Sequence, residues 1–227
     1  MLGTIVNAAA ILLGGAIGLL LKKGSPARVN ATVMSGVGLV VLYIGIDGAL
    51  EGQNVLIAII AIVVGGVLGA LLNLNDRFEG LAHRIERLIV KDDAATGAFG
   101  EGFVTATLLF CIGAMAVVGS LQSGLAGNHE VLFAKSLIDG ISAAMLASTL
   151  GAGVLLSALP VLLYQGAITL LAGVVSPFLS DAVVAEMTCV GSLLIVAIAL
   201  NLLRVTRIKV MDYVIAIFLP ILLCLFL

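Results

Sequence analysis

The feature that most constrains this chain is a series of uncharged apolar runs, each close to the length that crosses a bilayer. About 20 predominantly apolar residues cover the ~30 Å of hydrocarbon in a membrane. Eight stretches qualify: Ile5–Leu21, Ala31–Ile46, Val55–Leu72, Phe103–Val118, Leu132–Gly153, Leu156–Val174, Val183–Leu203 and Val210–Phe226. The expected fold class is all-α, a polytopic transmembrane helix bundle forming one integral membrane domain over residues 1–227. Only 11% of the residues are charged and 62% are hydrophobic, too little polar surface for water to be the main solvent. A net charge of −2 spread over short loops offers nothing to a nucleic acid.

The boundary between the fifth and sixth spans is the least marked. Leu132–Val174 is nearly continuous, and Ser157 with Pro160 is where a turn is expected. The basic residues test the count. With eight spans, ten of the eleven Lys and Arg fall on one face: Lys22, Lys23, Arg28, Arg77, Arg84, Arg87, Lys91, Arg204, Arg207 and Lys209. Lys135 alone falls on the other. The positive-inside bias makes the first face cytoplasmic and places both termini outside. The N-terminal run lacks a positive leader, so it reads as a retained first helix and not as a signal peptide. The longest connection contains Asp76–Val90, whose apolar positions recur at helical spacing. It reads either as an amphipathic helix on the cytoplasmic membrane surface or as a solvated connector.

Internal similarity organises these spans. Val33–Leu50 and Glu186–Leu203, aligned at Met34 and Met187, both read Met-small-x-Val-Gly and then an apolar run. GAIGLL from Gly15 matches GAITLL from Gly166. Spans one to three (within 1–73) thus resemble spans six to eight (156–227), with spans four and five (103–153) between. Copies beginning at an odd and an even span run in opposite directions, the inverted repeat common in secondary transporters. Recurrent small-residue packing without common ancestry is the alternative.

Ionisable side chains within a span are costly and usually face the bundle interior or a cavity. Asp139 on the fifth span is the clearest case, with Lys135 four residues earlier on the same face. Ser136 and Ser142 add hydroxyls, and Ser120 and Gln122 lie in the Gly- and Ser-rich end of span four, Val118–Gly124. That segment reads either as a hairpin turn or as a cavity lining. Such a group can take up a proton, coordinate Na⁺ or hold a cationic solute; equally, Lys135 can neutralise Asp139 and pin the helix. Asn7, Gln165 and Asn201 are isolated amides in other spans. They serve either as interhelical hydrogen-bond partners or as contributions to the same site.

Other chemistries lack their parts. No phosphate-binding Gly-x-x-x-x-Gly-Lys-Ser/Thr, no His-Glu-x-x-His and no Gly-x-Ser-x-Gly occurs. Cys111, Cys189 and Cys224 are isolated in apolar runs and read as small packing residues. No enzyme, metal or cofactor is therefore expected, only coupling to Na⁺ or H⁺.

Four segments carry a resemblance to a known family: MLGTIVNAAAILLGGAIG, CIGAMAVVGSLQSGL, KSLIDGISAAMLASTLGAGVLLSALPVLLYQGAITLL and VGSLLIVAIALNLLRVTRIKV. They resemble the bacterial YdfK/YqgA-like family of inner-membrane proteins, domain of unknown function 554, over nearly the whole chain. The resemblance implies a multi-pass protein of the bacterial cytoplasmic membrane and brings no site residues. The expected function is a secondary transporter or channel-like permease for a small solute or ion, its partners being the lipid bilayer and that solute. A homodimer suits so small a bundle. The alternative is a non-transporting scaffold or accessory subunit acting through Asp76–Val90.

Overall fold

The computed structural model describes residues 1–22, 27–78, 80 and 98–226. Among these residues the chain is helical throughout, with no strand. The long helices are α1 (Leu2–Lys22), α2 (Ala27–Ala49) and α3 (Val55–Leu71). After the connection come α4 (Ala98–Cys111), α5 (Ala114–Leu125), α6 (Glu130–Leu150), the single turn α7 (Gly153–Leu156) and α8 (Ala158–Leu170). The short α9 (Ala172–Val175), α10 (Asp181–Leu202), a 3₁₀ segment (Val210–Phe218) and α11 (Pro220–Leu223) complete the chain. Among the described residues five helices are long and apolar enough to cross a membrane, α7 and α8 counting together as Gly153–Leu170, or six if α4 and α5 form one bent span. Two shorter apolar helices, Val55–Leu71 and Val210–Leu223, accompany them. Most of the expected connector Asp76–Val90 lies outside the described residues.

Local chemistry explains where the helices break. At Ser157, where the sequence suggested a turn, Leu132–Val174 has a one-residue turn between α7 and α8, and it is also divided at Gly151 (φ 85°). Only glycine adopts that backbone readily. Ser157 stays in helical geometry and donates its hydroxyl to the Val154 carbonyl at 2.6 Å. Pro160 sits in the first turn of α8, where its missing N–H leaves no helical bond unmade. The expected fourth span, Phe103–Val118, is also not one helix. It bends by 57° between Phe99–Cys111 and Met115–Leu125, with Gly113 at φ +121°. Val118–Gly124, read as a span end, is instead the body of α5. The expected last span begins as a nine-residue 3₁₀ coil and becomes α-helical at Pro220. At about 2.0 Å per residue, against about 1.5 Å in an α-helix, the 3₁₀ coil extends the reach of a short element.

The helices form two compact units. One comprises Met1–Met34, Glu79–Cys111 and Met115–Val175; the other comprises Ser35–Phe78, Ile112–Ala114 and Ser176–Leu227. In the first, α1 packs parallel to α6: Gly3 meets Leu132, Gly14 meets Gly140, and Gly18 meets Ala144. A Cβ on Gly14 would lie 1.9 Å from the Gly140 carbonyl oxygen, so the backbones touch with nothing between them. Such small-residue seams let dispersion hold helices together in lipid, where apolar burial brings no gain. α8 lies antiparallel to α1, pairing Asn7 with Gln165 and Thr4 with Thr169.

In the second unit α2 runs antiparallel to α10, with Gly38 against Leu203, Gly45 against Val196 and Gly48 against Ser192. Along α3, Ala61, Gly65 and Gly69 recur every four residues and present one small-residue face. The 3₁₀ segment packs antiparallel on it, Gly65 against Ala216 and Gly69 against Asp212. Ala58, Ala61, Cys189, Val190 and Ala216 make the small core there. Cys189 is thus a packing residue.

Candidate functional site

The first unit encloses a chain of polar side chains supplied by three helices. Asp139 lies midway along α6 and is 4% exposed; Lys135, one turn earlier, is 5% exposed. The Lys135 ammonium lies 2.5 Å from Asp139 Oδ2, forming the i,i+4 pair expected from the spacing. Asn7 of α1 donates from Nδ2 to the same oxygen at 3.0 Å and to Gln165 Oε1 of α8 at 3.3 Å. One turn along from Asn7 and Gln165, the Thr4 and Thr169 hydroxyls are 3.5 Å apart. Phe110 closes another side, its ring centroid 6.0 Å from the Lys135 nitrogen and three residues from the Gly113 break.

The close α1–α6 seam makes this meeting geometrically available. Glycine at 14 and 140 brings the two backbones together, so a side chain as short as asparagine reaches across. The ion pair itself is expensive. Removing two charges from water costs several kcal/mol each, which their attraction offsets only when further hydrogen bonds complete the group. Asn7 supplies one such bond. Two amide atoms of the same chain, Asn7 Oδ1 and Gln165 Nε2, are buried with no hydrogen-bond partner, as is Ser120 Oγ on α5. Buried polar groups in folded proteins are nearly always satisfied. An acceptor and a donor left open beside an ion pair are therefore the positions that a solute, a water or an ion can fill.

The other residues singled out in the sequence fall differently. Ser136 is buried, but its hydroxyl donates back to the Leu132 carbonyl at 2.6 Å. Ser142 is half-buried on the turn after Asp139. Gln122 is half-buried, and its main-chain carbonyl closes the end of α5 by accepting from the Ala126 and Asn128 amides. Asn201 is not part of the group. It belongs to the second unit, where its Oδ1 accepts from the Ile208 amide and the Thr206 hydroxyl and its Nδ2 donates to the Ile208 carbonyl. Its amide staples the turn after α10 because Arg204 (φ 59°) reverses the chain beneath it.

Three participants escaped the sequence reading. Thr4, Thr169 and Phe110 carry no signal apart from the tertiary contact. Glu186 did carry one, an ionisable group within the expected span Val183–Leu203; it is 2% exposed in the second unit. Among the described residues no group of three His, Cys, Asp or Glu side chains is placed to hold a metal.

Apolar helices of membrane length, glycine seams and a buried ion pair together define a helical membrane protein. More particularly, the chain belongs to the family described as protein of unknown function (DUF554), whose model matches residues 2–225. It is 30% identical over 224 residues to the uncharacterized membrane protein YdfK of Bacillus subtilis (strain 168), covering 97% of this chain and 94% of that protein. It is 27% identical over 214 residues to the uncharacterized protein YqgA of Escherichia coli (strain K12), covering 93% and 91%. No solved structure matches.

Proposed function

We propose that this protein is a secondary transporter or channel-like permease for a small solute or ion, with Asp139 as its titrating group. The observation that carries the reading is the Lys135–Asp139–Asn7–Gln165 chain, buried in membrane-length helices and ending in unpartnered amide atoms. An intramembrane ionisable cluster of this kind is a functional candidate by default. The geometry favours H⁺ over Na⁺ as the coupling ion, because the Lys135 ammonium already occupies the cation position on Asp139 Oδ2. A proton on Asp139 would release Lys135, leaving the ammonium and the open Gln165 donor for a solute. The reading assigns the chain no catalysis.

Eight crossings, with both termini outside and an inverted repeat, belong to the same proposal. The directions of the packed pairs support them. Spans one and five run parallel; one and six, two and seven, and three and eight run antiparallel, each as strict alternation requires. The pairs equated by the repeat pack on one another, as a pseudo-two-fold axis in the membrane plane would produce. Helical spans in place of barrel strands support the bacterial cytoplasmic membrane as the location.

The test is transport in proteoliposomes across inorganic cations and amino acids, under pH and Na⁺ gradients, with wild type and Asp139→Asn. Movement of a solute driven by the pH gradient and lost in Asp139→Asn is the expected result. The proposal fails if no solute moves and if neither pH nor Na⁺ shifts the thermal stability of either version.

A further inference from the structure

Glu186 is a second carboxylate buried in a membrane-length helix, and the Asp139 site does not use it. It lies in the second turn of α10. Its Oε1 accepts from two consecutive backbone amides, Gln53 and Asn54, each at 2.7 Å. Asn54 is the N-cap of α3, its side-chain oxygen accepting from the Leu56 amide at 3.1 Å. The carboxylate therefore sits at the positive end of α3, where a negative charge is favoured. Its other oxygen, Oε2, is buried with no hydrogen-bond partner. Gly52 completes the wall: a Cβ there would lie 2.6 Å from Cys189 Sγ and 3.5 Å from Glu186 Oε2. One oxygen is thus fully engaged with the loop between α2 and α3, and the other is open.

We propose that Glu186 is a proton-binding latch on the loop that joins α2 to α3. Ionised, the carboxylate holds the Gln53 and Asn54 amides by charge-assisted hydrogen bonds, roughly twice as strong as neutral ones. A proton taken from water onto Oε2 removes that assistance, and the loop 50–54 loosens at the N-terminus of α3. The surrounding groups that can titrate are few. The Cys189 and Cys224 thiols lie within range of the Glu186 charge. Asp47 and Glu51 flank the loop and act on one another. α3 itself carries no titratable residue, and Asp212 and Tyr213 pack at its far end, against Gly69 and Gly66.

Hydrogen–deuterium exchange on the full-length protein in lipid nanodiscs reads the two amides directly. Protection factors would be measured at about pH 8, 6 and 4 and corrected for intrinsic exchange. In wild type, protection of the Gln53 and Asn54 amides is expected to fall at least tenfold on acidification. In Glu186→Gln it should be low and independent of pH. The Glu51→Gln variant should keep the wild-type dependence. Constant protection in wild type overturns the proposal, as does an unchanged pH dependence in Glu186→Gln or its loss in Glu51→Gln. Should Glu186→Gln fail to fold, the wild-type and Glu51→Gln profiles decide by the same criteria.

Discussion

Asn7 donates its amide to the same oxygen of Asp139 that Lys135 holds, from a position 132 residues away in the chain. The carboxylate is thereby shared between its own helix and α1, and α8 joins through Gln165. Any solute or proton that disturbs Asp139 acts on three helices together.

Lys135→Met strands a buried carboxylate. It should destabilise the protein by about 3–5 kcal/mol, because the charge loses its partner and keeps its desolvation cost. The double variant Lys135→Met/Asp139→Leu removes both charges and should recover most of that loss. Denaturant unfolding of wild type, the two single variants and the double variant measures the coupling; strict additivity would show that the pair is not energetically linked.

Gln165→Leu removes one 3.3 Å hydrogen bond and one unpartnered donor together. These effects oppose each other, so stability should change by less than about 1 kcal/mol. Transport should nevertheless fall sharply if Nε2 contacts the solute. A variant as active as wild type would limit Gln165 to helix packing.

Asn201→Ala should behave in the opposite way. Its side chain makes three hydrogen bonds to the turn at Thr206 and Ile208, and losing them should cost about 1–2 kcal/mol. Transport per folded molecule should stay unchanged. Thermal stability and initial uptake rates, measured on the same preparation, distinguish the two effects.

Gly14→Ala and Gly36→Ala form a matched pair. The added methyl at 14 would meet the Gly140 carbonyl at 1.9 Å and must force α1 from α6. At 36 the methyl meets nothing within 4 Å, and the gain in helix propensity should stabilise slightly, by up to about 1 kcal/mol. Unfolding midpoints that move in opposite directions would bear this out; equal shifts would refute the close seam.

Glu51 sets a small pH dependence of its own. Burial first, and Asp47 second, raise its carboxyl above the ordinary range. The folded state therefore binds this proton more readily than the unfolded chain, and stability declines as pH rises through the carboxylate range. Glu51→Gln should melt slightly higher than wild type near neutral pH and together with it in acid. A melting curve series across pH checks the sign.

The sequence carries the helical membrane class in runs such as Val55–Leu72, which leave lipid as the only suitable solvent and the helix as the way to satisfy their backbone. It also placed Lys135 and Asp139 on one helical face, since an i,i+4 spacing is local geometry. Glu186 carries the same kind of signal, an ionisable group within an apolar run, but was not among the expected site residues, and its two amide partners carry none. Features that depend on distant packing came from the folded neighbours alone. Glycine in an apolar run can pack, bend or end a helix, and only the neighbours select φ +121° at Gly113 and φ 85° at Gly151. An isolated amide gives no hint of its partner. Asn7 found a carboxylate across a glycine seam, while Asn201 turned back on its own loop.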